Sequence, residues 1–131
     1  EVFPDFDGLK KKWNTASEYI SLYPNVLLGV HRDHTYAIIL EPISTNKTRE
    51  HVAIYYASAE ATKARFKDLR IKNKFFWEDV FKEDIFVVEG MQEGRNGKFF
   101  DGGKFSPAMD GPTHLFHEWV ATQINLGRKE L

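Results

Sequence analysis

The stretch VLLGVHRDHTYAIILEPISTNKTREHVAIYYA, residues 26–57, decides the fold. VLLGVH and TYAIILEP are dense in aliphatic and β-branched residues, and Arg32-Asp33-His34 parts them as a tight polar turn. REHVAIYYAS follows the turn-rich ISTNKT. Three β-rich runs joined by short polar turns predict an antiparallel meander. Alternation is weak in the first two runs, so both of their faces are expected to be covered.

On the N-terminal side, residues 1–25 show no strong strand or helix period, and the chain opens on Glu1 rather than methionine. We read this as the cut edge of a larger protein, with residues 1–131 forming a single domain. On the C-terminal side the period changes. AEATKARFKDLR, residues 59–70, predicts a helix with Ala64 and Phe66 turned inward. Its surroundings are basic, with Lys63, Arg65, Lys67, Arg70, Lys72 and Lys74 against Asp68. A solvated helix face explains that charge, and a docking surface for an acidic electron-transfer partner is the alternative. A second helix is expected over residues 74–93, with Asn73 as its cap and Gly94 as its stop. Gly90 inside it suggests the close approach of another backbone. NGKFFDGGKFSP reads as a glycine-rich loop. GPTHLFHEWVATQINLG reads as a last helix with a stripe of Leu115, Phe116, Trp119, Val120 and Ile124. Strands first and helices after predict an α+β domain, an antiparallel sheet with helices on one face.

The middle helix carries an anomaly. On a helix, the residues three, four and seven positions from Asp84 share its side: Trp77, Val80, Phe81, Val87, Val88 and Met91, all apolar. Asp84 is therefore expected to point inward, and an unpartnered ionised carboxylate is costly to bury. It is then protonated, or its partner is an Arg or Lys, a helix-end hydrogen bond, or a metal. His31 and His34 flank a predicted turn, and His114 and His117 lie one helical turn apart. Either pair, with Asp84, has the composition of a two-histidine, one-carboxylate site. HLFH lacks the acid of a zinc-protease helix motif, and two close histidines are ordinary in a chain that has five.

Composition narrows the classes. The 131 residues are 42% apolar and 15% aromatic, enough for one folded core. A net charge of −1 argues against nucleic-acid and membrane-surface binding. The absence of cysteine removes disulfides, thiolate metal sites and cysteine nucleophiles, and fits a cytoplasmic chain. No nucleotide-binding or hydrolase motif is present.

At EDIFVVEGMQEG, with Glu83, Asp84, Val87, Glu89, Gln92 and Gly94 in the places of an E-D-x-x-V-x-E-x-x-Q-x-G pattern, the chain resembles one family. It is the catalytic domain, in its C-terminal part, of the large (alpha) subunit of Rieske non-haem iron ring-hydroxylating oxygenases. LYPN, residues 22–25, resembles that family's Phe/Tyr-Pro-Asn segment. FFDGGKFSPAMDGPTHLFHEWV resembles its closing loop and last helix, with Asp110 where a glutamate is frequent. The resemblance runs from about Tyr23 to Ile124. It implies a helix-grip-like fold and a parent that inserts oxygen from O2 into an aromatic or other small organic substrate, as a mono- or dioxygenase. It implies that Asp84 is the carboxylate ligand of a mononuclear Fe(II), and that Val80 and Asn25 line the substrate pocket. Glu89 and Gln92 support the helix. A ferredoxin or reductase would donate electrons, and the parent would be a homo-oligomer, often a trimer. The family's [2Fe-2S] cluster needs cysteines this chain does not have, and its two iron histidines lie in a motif with no match here. The chain alone is then expected to bind no iron tightly and to be inactive. The competing class is a non-catalytic helix-over-sheet module holding a small apolar ligand.

Overall fold

The three runs of residues 26–57 are strands, and a fourth precedes them. In a computed structural model, which describes residues 2–128, β1 (Glu18–Leu22), β2 (Val26–Val30), β3 (His34–Ser44) and β4 (Lys47–Tyr56) form one sheet in that order. Every pairing is antiparallel, as a meander requires. Glu1, on which the cut-edge expectation rests, lies outside the described residues. β1 was not expected. It is an edge strand exposed at all five positions, so no buried period marks EYISL in the sequence.

β3 shows the alternation that its neighbours obscure. His34, Tyr36 and Ile38 are buried on one face, while Ile39 on the other is about half exposed. Tyr36 pairs with Gly29 of β2 and Ile54 of β4. The Tyr36 ring lies over the glycine so closely that a Cβ at position 29 would stand 2.2 Å from its Cζ atom. Gly29 is thus required by the ring and not by its own backbone angles.

The helical half departs from expectation in its boundaries. Residues 59–66 form two 3-10 turns, Ala59–Thr62 and Ala64–Phe66, instead of the start of an α-helix. Ser58 Oγ accepts from the Glu60 backbone N–H and Thr62 Oγ1 donates to the Ala59 carbonyl, which closes the first turn locally. Lys63 is extended and separates the two turns. Phe66 is buried as expected, but Ala61 rather than Ala64 is the other inward residue. One helix, α1 (Lys67–Arg95), then runs where a cap at Asn73 was expected. The Asn73 amide instead donates to the Tyr56 hydroxyl of β4 at 3.4 Å, so its polar group is used in the helix interior. Arg70 ties the 3-10 turns to α1 by donating to the Ala61 and Lys63 carbonyls, at 2.5 and 3.0 Å.

Two buried clusters hold α1 to the sheet. Phe3, Ala61 and Phe66 pack with Tyr56 and Leu69. Tyr36, Ile38 and Trp77 pack with Leu27, Leu40, Ile54, Val80 and Phe81. Along α1 the contacts therefore pass from Tyr56 of β4 to Tyr36 of β3. The segment Leu69–Phe81 is about 18 Å of helix, comparable to the width of four strands spaced about 4.8 Å apart. This is the expected α+β arrangement, with α1 on the face of the sheet that carries Tyr36 and Ile38.

By its contacts the chain divides into Glu1–Gln92 and Glu93–Leu131. In the second unit, a loop leads to α2 (Gly111–Gly127), which has Pro112 in its first turn as expected. Asp110 closes the entry to this helix. Its carboxylate accepts from the Ser106 backbone N–H at 2.6 Å, and its carbonyl accepts from His114 N–H at 2.8 Å. Of the expected stripe, Phe116, Trp119 and Val120 are partly buried, and Leu115 and Ile124 are exposed.

Candidate functional site

Asp84 stands on α1, on the side shared by Trp77, Val80 and Phe81, but it is exposed. The inward carboxylate inferred from periodicity is corrected. The apolar stripe continues past Phe81 as Val87, Val88 and Met91, but all three are more than half exposed. The stripe is real, yet the sheet contacts end at Phe81. No hydrogen bond or ion pair to Asp84 is seen among the described residues, which removes the Arg or Lys partner considered from the sequence. An exposed, uncommitted carboxylate can offer both oxygens to a cation or a donor.

Val80, one helical turn earlier, packs against the Tyr36, Ile38 and Trp77 cluster. Asn25 is at the β1–β2 turn, next to the cis Tyr23–Pro24 peptide. Its amide donates to the Leu40 carbonyl at 3.0 Å, and its own carbonyl accepts from Leu40 N–H at 2.9 Å. Asn25 thereby stitches the start of β2 to β3. Glu89 and Gln92 lie further along α1, where Glu89 is exposed. No atom would meet a Cβ at Gly90 within 4 Å, so the close backbone approach expected there is absent among the described residues.

The histidines are arranged around other tasks. Trp77 Nε1–H donates to His34 Nε2 at 2.8 Å, and His34 Nδ1 is 2.6 Å from Asp33 Oδ1. An indole N–H can only donate, so His34 Nε2 must be the bare nitrogen and Nδ1 must carry the proton given to Asp33. Both nitrogens are committed, and His34 is buried. His31 stacks on His34 with ring centroids 4.8 Å apart and planes 14° from parallel. Its Nδ1 lies 2.8 Å from Ser17 Oγ, and its Nε2 is buried without a hydrogen-bond partner. Burial first, and then His34, hold His31 below the usual imidazole range, with Asp33 pulling the other way. Tyr36 is held above the usual phenol range by burial and by Tyr19. In the second unit, the Phe105 ring meets both His114 and His117 edge-on, at 5.0 and 5.1 Å.

No group of three or more His, Cys, Asp or Glu side chains comes together as a metal site among the described residues. Within the first unit, His31 and His34 do not join Asp84 in a ligand set among the described residues. The residues present do not fit a complete iron site, and at most they fit one ligand of it. Sequence reasoning did not anticipate the Asp33–His34–Trp77 chain. The signal available was a tryptophan on the inner stripe of the helix and a histidine at the start of an alternating strand.

The family model described as "Ring hydroxylating alpha subunit (catalytic domain)" matches residues 1–126. No curated protein and no solved structure matches the chain. No helix among the described residues is long and apolar enough to cross a membrane.

Proposed function

The chain belongs to the family of ring hydroxylating alpha subunit catalytic domains, and on that premise we propose that it is the part of a Rieske-type oxygenase subunit that brings the carboxylate ligand, Asp84, to a mononuclear iron. The observation that carries this reading is the family match across nearly the whole chain. The free, exposed carboxylate of Asp84 on α1 supports the assignment of that residue, because it is available to a site completed from elsewhere. In the intact subunit, Asp84 would supply one carboxylate ligand to a ferrous iron whose other ligands lie outside this chain, and that iron would supply the activation of O2 for insertion into an aromatic or other small organic substrate.

The contribution of this chain is positional. α1 is fixed to the sheet through Trp77 and Phe81, and Asp84 stands one helical turn beyond Val80 and Phe81. Val80 would add an apolar wall, and Asn25 would shape the far side of the substrate space from the β1–β2 turn. Electrons would come from a ferredoxin or reductase through a [2Fe-2S] cluster outside this chain, in a cytoplasmic homo-oligomer. With one ligand of three, the isolated chain would hold no iron tightly and oxidise nothing.

Replacing Asp84 by alanine in the intact subunit tests the assignment. We expect loss of mononuclear iron and of oxygenation, with the absorbance of the [2Fe-2S] cluster unchanged. Iron content and turnover like those of the unmodified subunit would overturn it.

A further inference from the structure

Of the cluster of Asp33, His34, His31 and Trp77, only Trp77 enters the function proposed above, as an anchor of α1, and the cluster has an unusual property. Its hydrogen bonds hold in only one protonation state. We propose that Asp33, His34 and Trp77 form a proton-sensitive latch that fastens α1 to the sheet, and that uptake of one proton by the His31–His34 pair opens it.

The chemistry follows from the atoms. His34 Nε2 has one lone pair, and the Trp77 indole N–H occupies it at 2.8 Å inside the buried core. A proton at Nε2 sets one N–H against another. Neither can accept, so the bond is lost outright rather than weakened. The cation so formed has a place to stay, because Asp33 Oδ1 is already 2.6 Å from Nδ1. The cost of protonation therefore falls on the Trp77 contact and not on the charge. The alternative acceptor is worse. A cationic His31 would, whichever tautomer it starts from, carry an N–H at its buried, unpartnered Nε2, beside a ring stacked 4.8 Å away. The depressed basicity of His31, caused by burial and by His34, agrees with this.

The other groups set against the two rings do not offset such a charge. They are Ser17 ahead of β1, Tyr19 of β1, Tyr36 of β3 and Tyr56 of β4. Among the described residues, α1 brings Trp77 alone, at 4.9 Å from His31 and 5.8 Å from His34 between ring centroids. Asp33 is the one carboxylate bonded to either ring among the described residues. Arg32 feels the charge of Asp33 but forks onto Asp5. Trp77 in turn holds Tyr36 and Phe81, at 4.5 and 5.7 Å between centroids, so its release loosens the larger of the two clusters.

The test is the hydrogen exchange of the Trp77 indole N–H in the full chain, followed by NMR from about pH 7.5 to about pH 5.5, on either side of the ordinary imidazole value of about 6.5. After correction for intrinsic exchange, we expect protection in the unmodified chain to fall by about tenfold or more, one decade for each pH unit of proton uptake. In His34→Gln the amide oxygen can accept the indole N–H and does not titrate. Protection should then stay level across the range. In Asp33→Asn the cation loses its counter-charge, and opening should move to lower pH. Constant protection in the unmodified chain overturns the proposal, as does an equal loss in His34→Gln. Should His34→Gln not fold, an unmoved opening pH in Asp33→Asn overturns it instead.

Discussion

α1 has two halves of similar apolar content and opposite fate. From Leu69 to Phe81, its inner residues are part of two buried clusters, and Trp77 is only 7% exposed. From Ile85 to Met91 the apolar residues stand in the open, with Phe86 at 83% and Val88 at 62% exposed. Periodicity reports which side of a helix is apolar. It does not report how far the surface beneath that helix extends. The two halves differ in what lies under them, and that is set by strands far away in the sequence.

The comparison can be broken most sharply at Trp77. Trp77→Ala removes a large buried ring and leaves the Nε2 acceptor of His34 unpaired. It should cost about 3–5 kcal/mol, read from the denaturant midpoint at constant m. A loss below about 1 kcal/mol would mean that the first half of α1 is no more anchored than the second.

Gly29→Ala probes the sheet side of the same contact. The added methyl meets the Tyr36 ring at 2.2 Å, so the ring must move off Trp77 and Phe81. Overpacking of this kind costs about 1–3 kcal/mol. Tyr36→Leu combined with Gly29→Ala should recover part of that loss, because the two sites share one volume. Strict additivity of the pair would show that the ring is not what forbids a side chain at position 29.

The smallest effects belong to the exposed half. Phe86→Ser should change unfolding stability by no more than about 0.5 kcal/mol, since almost no packing is removed. Asp84→Ala in this chain should leave the unfolding midpoint in place, in contrast to its expected effect on iron in the intact subunit. A large loss from either substitution would show that the second half of α1 is covered after all.

These contrasts also explain what was legible. The strands of residues 26–57 could be read because β-branched runs and polar turns are local signals. β1 could not, because an edge strand exposed on both sides carries no pattern of burial. The continuity of α1 through Asn73 was hidden because asparagine ahead of an apolar helix has the composition of a cap, whereas here its amide reaches Tyr56 across the fold. The proposed ligand role of Asp84 rests on a motif, its exposure comes from the structure, and periodicity alone had its direction wrong. His34 was noticed as half of a metal pair. The Trp77 bond that defines its tautomer joins positions 43 residues apart, beyond the reach of any local pattern.

Phe3 bears on the order in which the molecule assembles. The meander needs only contacts between successive strands, each closed by a short turn, and such contacts form early because little chain entropy opposes them. The Phe3 ring packs, tilted, against Tyr56 at 4.5 Å and Phe66 at 5.9 Å between centroids, roughly sixty positions away along the chain. Arg32 in the β2–β3 turn holds the segment down through Asp5, and its carbonyl accepts from Phe6 N–H at 2.9 Å. The segment ahead of β1 is therefore expected to close last, over a sheet and turns already in place. Its docking should then govern the unfolding rate more than the folding rate, as a seal does when it is absent from the transition state.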